Sequence, residues 1–224
     1  ETYFSTIVRT CVPLLILLSG ALLLGKKETY QIFFTKRFIK ILIPWIFWTT
    51  IVMFFQYNFQ YRQIISEFFA SSLPLTLQWV RYFLYTFLSY FWFLPMLFSI
   101  YFITPLLRIF VKNASSFDLT YVLILWFIFV SILPFIFSNP IFPTYEPSIL
   151  LLPFQYSGYF ILGFLLKNIT QSKKMNWIFF LLLCIGFITV LPLPFFETPI
   201  AQRFSNNFLA PGTFASSVGL FYFL

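Results

Sequence analysis

The sequence predicts an all-α protein, a polytopic bundle of transmembrane helices with about seven spans in 224 residues. Three observations carry that expectation. Hydrophobic residues make up 60% of the chain and charged residues only 9%, far below the share that a soluble domain exposes. The apolar residues are gathered into blocks, most near the ~20 residues that cross about 30 Å of hydrocarbon at helical rise. The lysines and arginines fall between those blocks in short clusters that alternate along the chain.

The blocks run Tyr3–Leu24, Ile41–Tyr57, Tyr82–Val111, Leu119–Ser138, Leu150–Leu166, Trp177–Leu193 and Phe208–Leu224. The third is too long for one upright span: either Pro95 and Pro105 kink it, or its first turns lie in the interface. Pro44, Pro134 and Pro153 also sit within spans, where neighbouring helices can satisfy the freed carbonyls. Gln60–Trp79 is mixed in character and reads as an interfacial helix or an extramembrane loop. No internal repeat or low-complexity linker divides the chain, so residues 1–224 are expected to form a single domain. A first residue Glu1 and a last block, "GLFYFL", that stops inside an apolar run point to truncation at both ends. No cleavable signal is visible.

Basic residues set the orientation. Lys26, Lys27, Lys36, Arg37 and Lys40 lie in the first connection, Arg108 and Lys112 in the third, and Lys167, Lys173 and Lys174 in the fifth. The alternate connections hold only Arg62, Arg81 and Arg203, ten basic residues against three. The odd connections are therefore expected in the cytoplasm, with Glu1 outside and an odd number of spans upstream.

Several function classes drop out. The net charge of +8 sits in topology signals and not on a soluble basic face, so nucleic acid is not an expected partner. Cys11 and Cys184 both lie in apolar blocks and offer neither a disulfide framework nor a zinc spacing, and no metal site is expected. Paired carboxylates and phosphate-binding glycine loops are missing too, which leaves a hydrolase or an NTPase without support. Asp118 and Glu146 read as solvated residues of short loops.

One charge falls inside a span. Arg9 lies about six residues below the outer end of the first block, roughly 9 Å deep at helical rise. Arg9, Pro13, Ile16 and Gly20 fall within about 40° of one helical face, and a proline with a glycine on that face points it toward protein. An arginine at this depth costs about 1–3 kcal/mol unless compensated. Snorkelling to the outer headgroups is the alternative. Ser19 with Gly20 reads as a close-packing pair, because no base or nucleophile elbow accompanies the serine.

The residues "VRTCVPLLILLSGALLLGKKETYQIFFTKRFIKILIPWIFW" resemble the second and third spans of the acyltransferase 3 family of integral membrane acyltransferases. Arg9, Val12, Pro13, Ser19, Gly20, Lys36, Arg37, Pro44 and Trp48 fill the places of that pattern. "YFWFLPMLFSIYFITPLL" is similar to the family's W-F-L and Y-L-x-x-P-L-L segment, matched by Trp92, Phe93, Leu94, Tyr101, Pro105 and Leu106. "YSGYFILGFLLKN" resembles its Y-F-x-L-G-Y-L-L segment. The matches occur in order over most of the chain.

The resemblance implies a multi-pass enzyme of the plasma (inner) membrane. It would move an acetyl- or succinyl-type group from acyl-CoA, a co-substrate, to a hydroxyl of a cell-surface polysaccharide or lipid-linked glycan. No bound cofactor is implied. The family's essential histidine is expected upstream of Glu1, for the chain has no histidine of its own. Tyr90 stands where the family often has a histidine, and a phenol with a pKa near ~10 is a poor base at neutral pH. Arg9 becomes a catalytic candidate that orients the missing histidine or holds an anionic group. Lys36, Arg37 and Lys40 suit the phosphates of coenzyme A, against a purely topogenic role. Trp92 lines a substrate path or is core. Two other classes stay open: a polysaccharide or precursor transporter, which should show repeats and mid-membrane polar groups, and a non-catalytic remnant of the scaffold.

Overall fold

The computed structural model describes residues 9–56, 74–136, 152–190 and 207–224. The described residues are helical and contain no strand. In chain order the helices are α1 (Cys11–Leu23), α2 (Tyr30–Phe55), α3 (Leu75–Ser89), α4 (Phe93–Asn113), α5 (Ser116–Phe127), α6 (Leu133–Ile136), α7 (Leu152–Leu166), α8 (Lys173–Val190) and α9 (Pro211–Tyr222). A π-helical turn, Ile128–Ile132, joins α5 to α6. Of these, α2, α4 and α8 are each long and apolar enough to cross a membrane. The expected all-α bundle is present, while a count of seven spans goes beyond what helix length alone establishes.

Several boundaries differ from the sequence reading. The second helix starts at Tyr30, not near Ile41, so Lys36, Arg37 and Lys40 lie two to three turns inside it and do not open it. At 26 residues it is about 39 Å long, more than the hydrocarbon needs, and its basic first turns can project beyond. The third block is two helices, broken at Tyr90–Trp92 in the turn before Pro95, whose i−4 carbonyl is that of Phe91, while Pro105 lies inside α4. Most of Gln60–Trp79 lies outside the described residues, but Leu75–Trp79 already belongs to α3. Asp118 is not in a loop: it is the third residue of α5 and closes a capping box with Ser115. Glu146 lies outside the described residues.

The chain divides into two compact units, Glu28–Tyr101 and the combination of Glu1–Lys27 with Phe102–Leu224, the division falling within α4. In the unit Glu28–Tyr101, α2 is paired by residues that descend along it as they rise along α3 and α4. Tyr82 Oη donates to Gln56 Oε1 at 2.9 Å, Trp45 stacks on Phe87 at 3.6 Å, Phe98 meets Phe38 at 4.1 Å, and Tyr101 meets Phe33 at 6.2 Å. Thus α3 and the start of α4 form one interrupted track antiparallel to α2. The other side of α2 leaves Ile39, Ile43, Phe47, Trp48 and Phe54 exposed. A face so apolar belongs in lipid.

In the other unit, small residues let helix backbones touch. A Cβ on Gly20 of α1 would overlap the Phe160 carbonyl of α7, and one on Gly163 of α7 would overlap the Leu17 carbonyl. The two helices cross there with their C-terminal ends on the same side, where Lys167 Nζ reaches Ala21 O at 3.3 Å. Helix α9 packs antiparallel on α8 by the same device: Gly186 faces the Ser216 backbone and Gly219 faces Leu183. Arg108 closes the end of α1, with Nε and Nη2 donating to Leu23 O at 3.0 and 2.8 Å. Cations suit that end, where carbonyls lack partners and the helix dipole is negative.

Gly20→Ala or Gly163→Ala should therefore force α1 and α7 apart and cost about 1–3 kcal/mol or more. Gly25→Ala should be tolerated, because its Cβ would meet only the Phe164 ring at 3.5 Å. Thermal unfolding in detergent checks this, and equal melting temperatures for the three variants would contradict the crossing.

The capping box gives a pH forecast. The Ser115 hydroxyl donates to Asp118 Oδ2 at 2.7 Å and the Ser115 backbone N–H at 2.9 Å, holding the exposed carboxyl below the usual carboxylate range. A depressed folded pKa stabilises above the unfolded value near ~3.9 and loses that contribution as pH falls through the folded value. Amide exchange in the first turn of α5 should speed up over that acidic window and become insensitive to it in Asp118→Asn.

Candidate active site

Arg9 precedes α1 and is half-buried. Along the face it shares, Pro13, Ile16 and Gly20 are all buried, so that face is turned to protein as its proline and glycine imply. The next residue, Thr10, is 4% exposed, and its carbonyl lies 3.3 Å from the Ser217 hydroxyl of α9. Ser217 Oγ also donates to Thr213 O at 2.6 Å.

Beside this contact the chain enters α9 through a short non-helical strap, Asn207–Ala210. Each of its four carbonyls has a donor. Asn207 O accepts from Thr213 Oγ1 at 3.3 Å, Phe208 O from Tyr159 Oη at 3.1 Å, Leu209 O from Ser131 Oγ at 2.6 Å, and Ala210 O from Phe214 N at 2.9 Å. Ser131 belongs to the π-turn, a feature that recurs at functional sites. Trp126 completes the setting: its Nε1 donates to Gln155 O at 2.8 Å, and its ring lies edge-on to Tyr159 at 5.1 Å. Half-buried Arg9 is thus one residue along the chain from the point where Thr10 meets this group of hydroxyls. Each of these hydroxyls gives its one proton to a backbone carbonyl, so the network braces the strap and the start of α9 and offers no further donor.

The second group lies in the other compact unit. Lys36 and Lys40 are exposed and one turn apart on α2. Arg37 is engaged: Nη1 forms a salt bridge to Glu28 Oε2 at 2.9 Å, and the guanidinium lies 4.2 Å over the Phe33 ring. Its charge is already compensated within its own unit. Tyr90 and Trp92 fall in the break between α3 and α4, Tyr90 as the exposed C-cap of α3 and Trp92 half-buried against Phe93.

Sequence reasoning predicted the protein-facing side of α1 that follows Arg9 and did not single out the hydroxyls of Ser131, Tyr159, Thr213 and Ser217. Single hydroxyls in apolar runs look like space fillers. The one visible signal was the small polar run "TFASSVG" in the last block, whose Thr213, Ser216 and Ser217 are all buried.

Neither a comparison with curated proteins nor one with solved structures gives a match. The acyltransferase domain family matches residues 1–224. Matched from first residue to last and built of apolar helices, the chain belongs to the acyltransferase domain family, the acyltransferase 3 type of membrane acyltransferase.

Proposed function

We propose that this protein acts in the plasma membrane as a multi-pass, single-domain enzyme. It transfers an acetyl- or succinyl-type group from cytoplasmic acyl-CoA to a hydroxyl of a cell-surface polysaccharide or lipid-linked glycan. The observation that carries the reading is the family match over the whole chain, with Arg9 half-buried at the head of a protein-facing helix face. In the reaction the acceptor oxygen bonds to the acyl carbonyl carbon, the carbon–sulfur bond breaks, and coenzyme A leaves as its thiol with the acceptor's proton. As negative charge develops on the carbonyl oxygen, the Arg9 guanidinium stabilises it without reorganisation. The base is supplied from outside these 224 residues, as the resemblance implies. At the cytoplasmic face Lys36 and Lys40 meet the coenzyme's phosphates, while Arg37 braces the first turns of α2 through Glu28. The ends of α1, Arg108 and Lys167 meet at one end of their unit, which supports one cytoplasmic side for the odd connections.

Arg9→Ala in the full-length protein should abolish acyl transfer, and Arg9→Lys should not restore it, with insertion retained. Lysine snorkels as well as arginine but lacks the planar fork, so near-wild-type transfer by Arg9→Lys in matched membranes would leave Arg9 an interfacial anchor.

Removing Lys36 and Lys40 together as glutamines should raise the donor KM about tenfold or more, each charge-assisted contact contributing about 1–3 kcal/mol. Arg37→Gln should instead lower stability with less effect on the donor KM. The donor dependence of transfer by correctly inserted variants checks both, and an unchanged KM for the lysine pair would leave those residues topogenic.

A further inference from the structure

Thr86 of α3 is fully buried, and its hydroxyl is the one buried side-chain polar atom among the described residues without a hydrogen-bond partner. A helical threonine ordinarily satisfies itself by donating to the carbonyl four residues earlier. Thr49 and Thr50 of α2 do so, to Trp45 O at 2.8 Å and to Ile46 O at 2.9 Å, and Thr189 of α8 does so to Ile185 O at 2.8 Å. The Thr86 hydroxyl does not make this bond, and a buried hydroxyl left unmade is costly in an apolar interior.

Its place in the fold says what it is for. Gln78, Tyr82, Thr86 and Tyr90 follow at four-residue spacing on one face of α3. The first three are 7%, 1% and 0% exposed, whereas Tyr90 is 49% exposed. This polar stripe therefore surfaces at the helix break, about 6 Å, one helical turn, beyond Thr86. The break itself is held by Trp45, which is 4% exposed: its Nε1 donates to Phe87 O at 2.9 Å, and its ring stacks on Phe87 at an interplanar angle of 9°. That indole occupies a carbonyl a continuous helix would have used for its own ladder. The stripe carries no charge, and the α2 residues beside it, Trp45, Thr49 and Gln56, add none. A phosphate or carboxylate would lose its hydration there without a counter-charge.

We propose that the Thr86 hydroxyl hydrogen-bonds an uncharged substrate oxygen that enters at the Tyr90–Trp92 break, either the thioester carbonyl of the acyl donor or the hydroxyl of the acceptor. The proposal rests on the acyl-transfer reading and adds to it a binding residue and the chemistry that residue selects. Thr86→Val keeps the shape and removes the hydroxyl. In the full-length protein its melting temperature should equal or exceed that of the wild type, since an orphan polar group is lost. The KM for acetyl-CoA or for a methyl glucoside acceptor probe should nonetheless rise about tenfold or more, and Thr86→Ser should restore it. The KM that moves tells carbonyl from hydroxyl. Both KM values within about twofold of wild type, at equal or higher stability, would overturn the proposal. Thr86→Ala carries the same comparison if the valine protein does not insert. Absence of transfer by the wild-type protein would sink the acyl-transfer reading separately. In that event the melting temperature decides: a rise with either probe that Thr86→Val abolishes supports Thr86, and no rise, or an equal rise in both proteins, overturns it.

Discussion

A carbonyl freed inside hydrocarbon has no water to turn to, and this constraint shapes each interruption of the helices. Where α3 ends, the Trp45 indole takes the Phe87 carbonyl. Where α1 ends, Arg108 takes Leu23 O and Lys167 takes Ala21 O. Where the chain bends into α9, Ser131, Tyr159 and Thr213 hold three successive carbonyls of the strap. Each donor comes from residues far away in the sequence or on the far side of a turn. Secondary structure here is completed by tertiary contacts.

The same constraint separates two kinds of polar residue. Most hydroxyls in the apolar runs close the ladder of their own helix or a strap nearby, and such residues serve the fold. The Thr86 hydroxyl, below the helix break, does neither. Chemistry is most economically placed at such positions, because the surrounding scaffold already bears the cost of an irregular backbone. Glycine supplies the complement. Gly20 and Gly163 let α1 and α7 approach until carbonyls lie where side chains would be, which fixes the face of α1 that follows Arg9.

Much of this was legible in the sequence, and what was legible has a common origin. Periodicity identifies a face and charge identifies an end, so the protein-facing side of α1 and the basic ends of the helices followed from spacing alone. The start of α2 was misplaced because its first turns, "YQIFFTKRFIK", interleave cations with apolar residues and read as a connection. A helix whose first turns carry cations looks in sequence like a helix that has not begun. The break at Tyr90–Trp92 was placed at prolines, which are the usual local cause. Pro95 acts on the turn before it, where it has no N–H for the Phe91 carbonyl and its ring crowds that carbonyl, and Trp45, on a different helix, takes the Phe87 carbonyl.

By itself the sequence determined the helical class, the apolar character that suits a membrane and the family, since composition, hydropathy and short motifs are properties of neighbouring residues. Only the tertiary structure decided that Arg37 is engaged by Glu28 while Lys36 and Lys40 stay exposed, that dispersed hydroxyls converge on one strap, and that Thr86 alone of the described buried polar side-chain atoms is left unpaired. Pairing is settled by which donors and acceptors meet across helices, and a linear order of residues carries no record of that meeting.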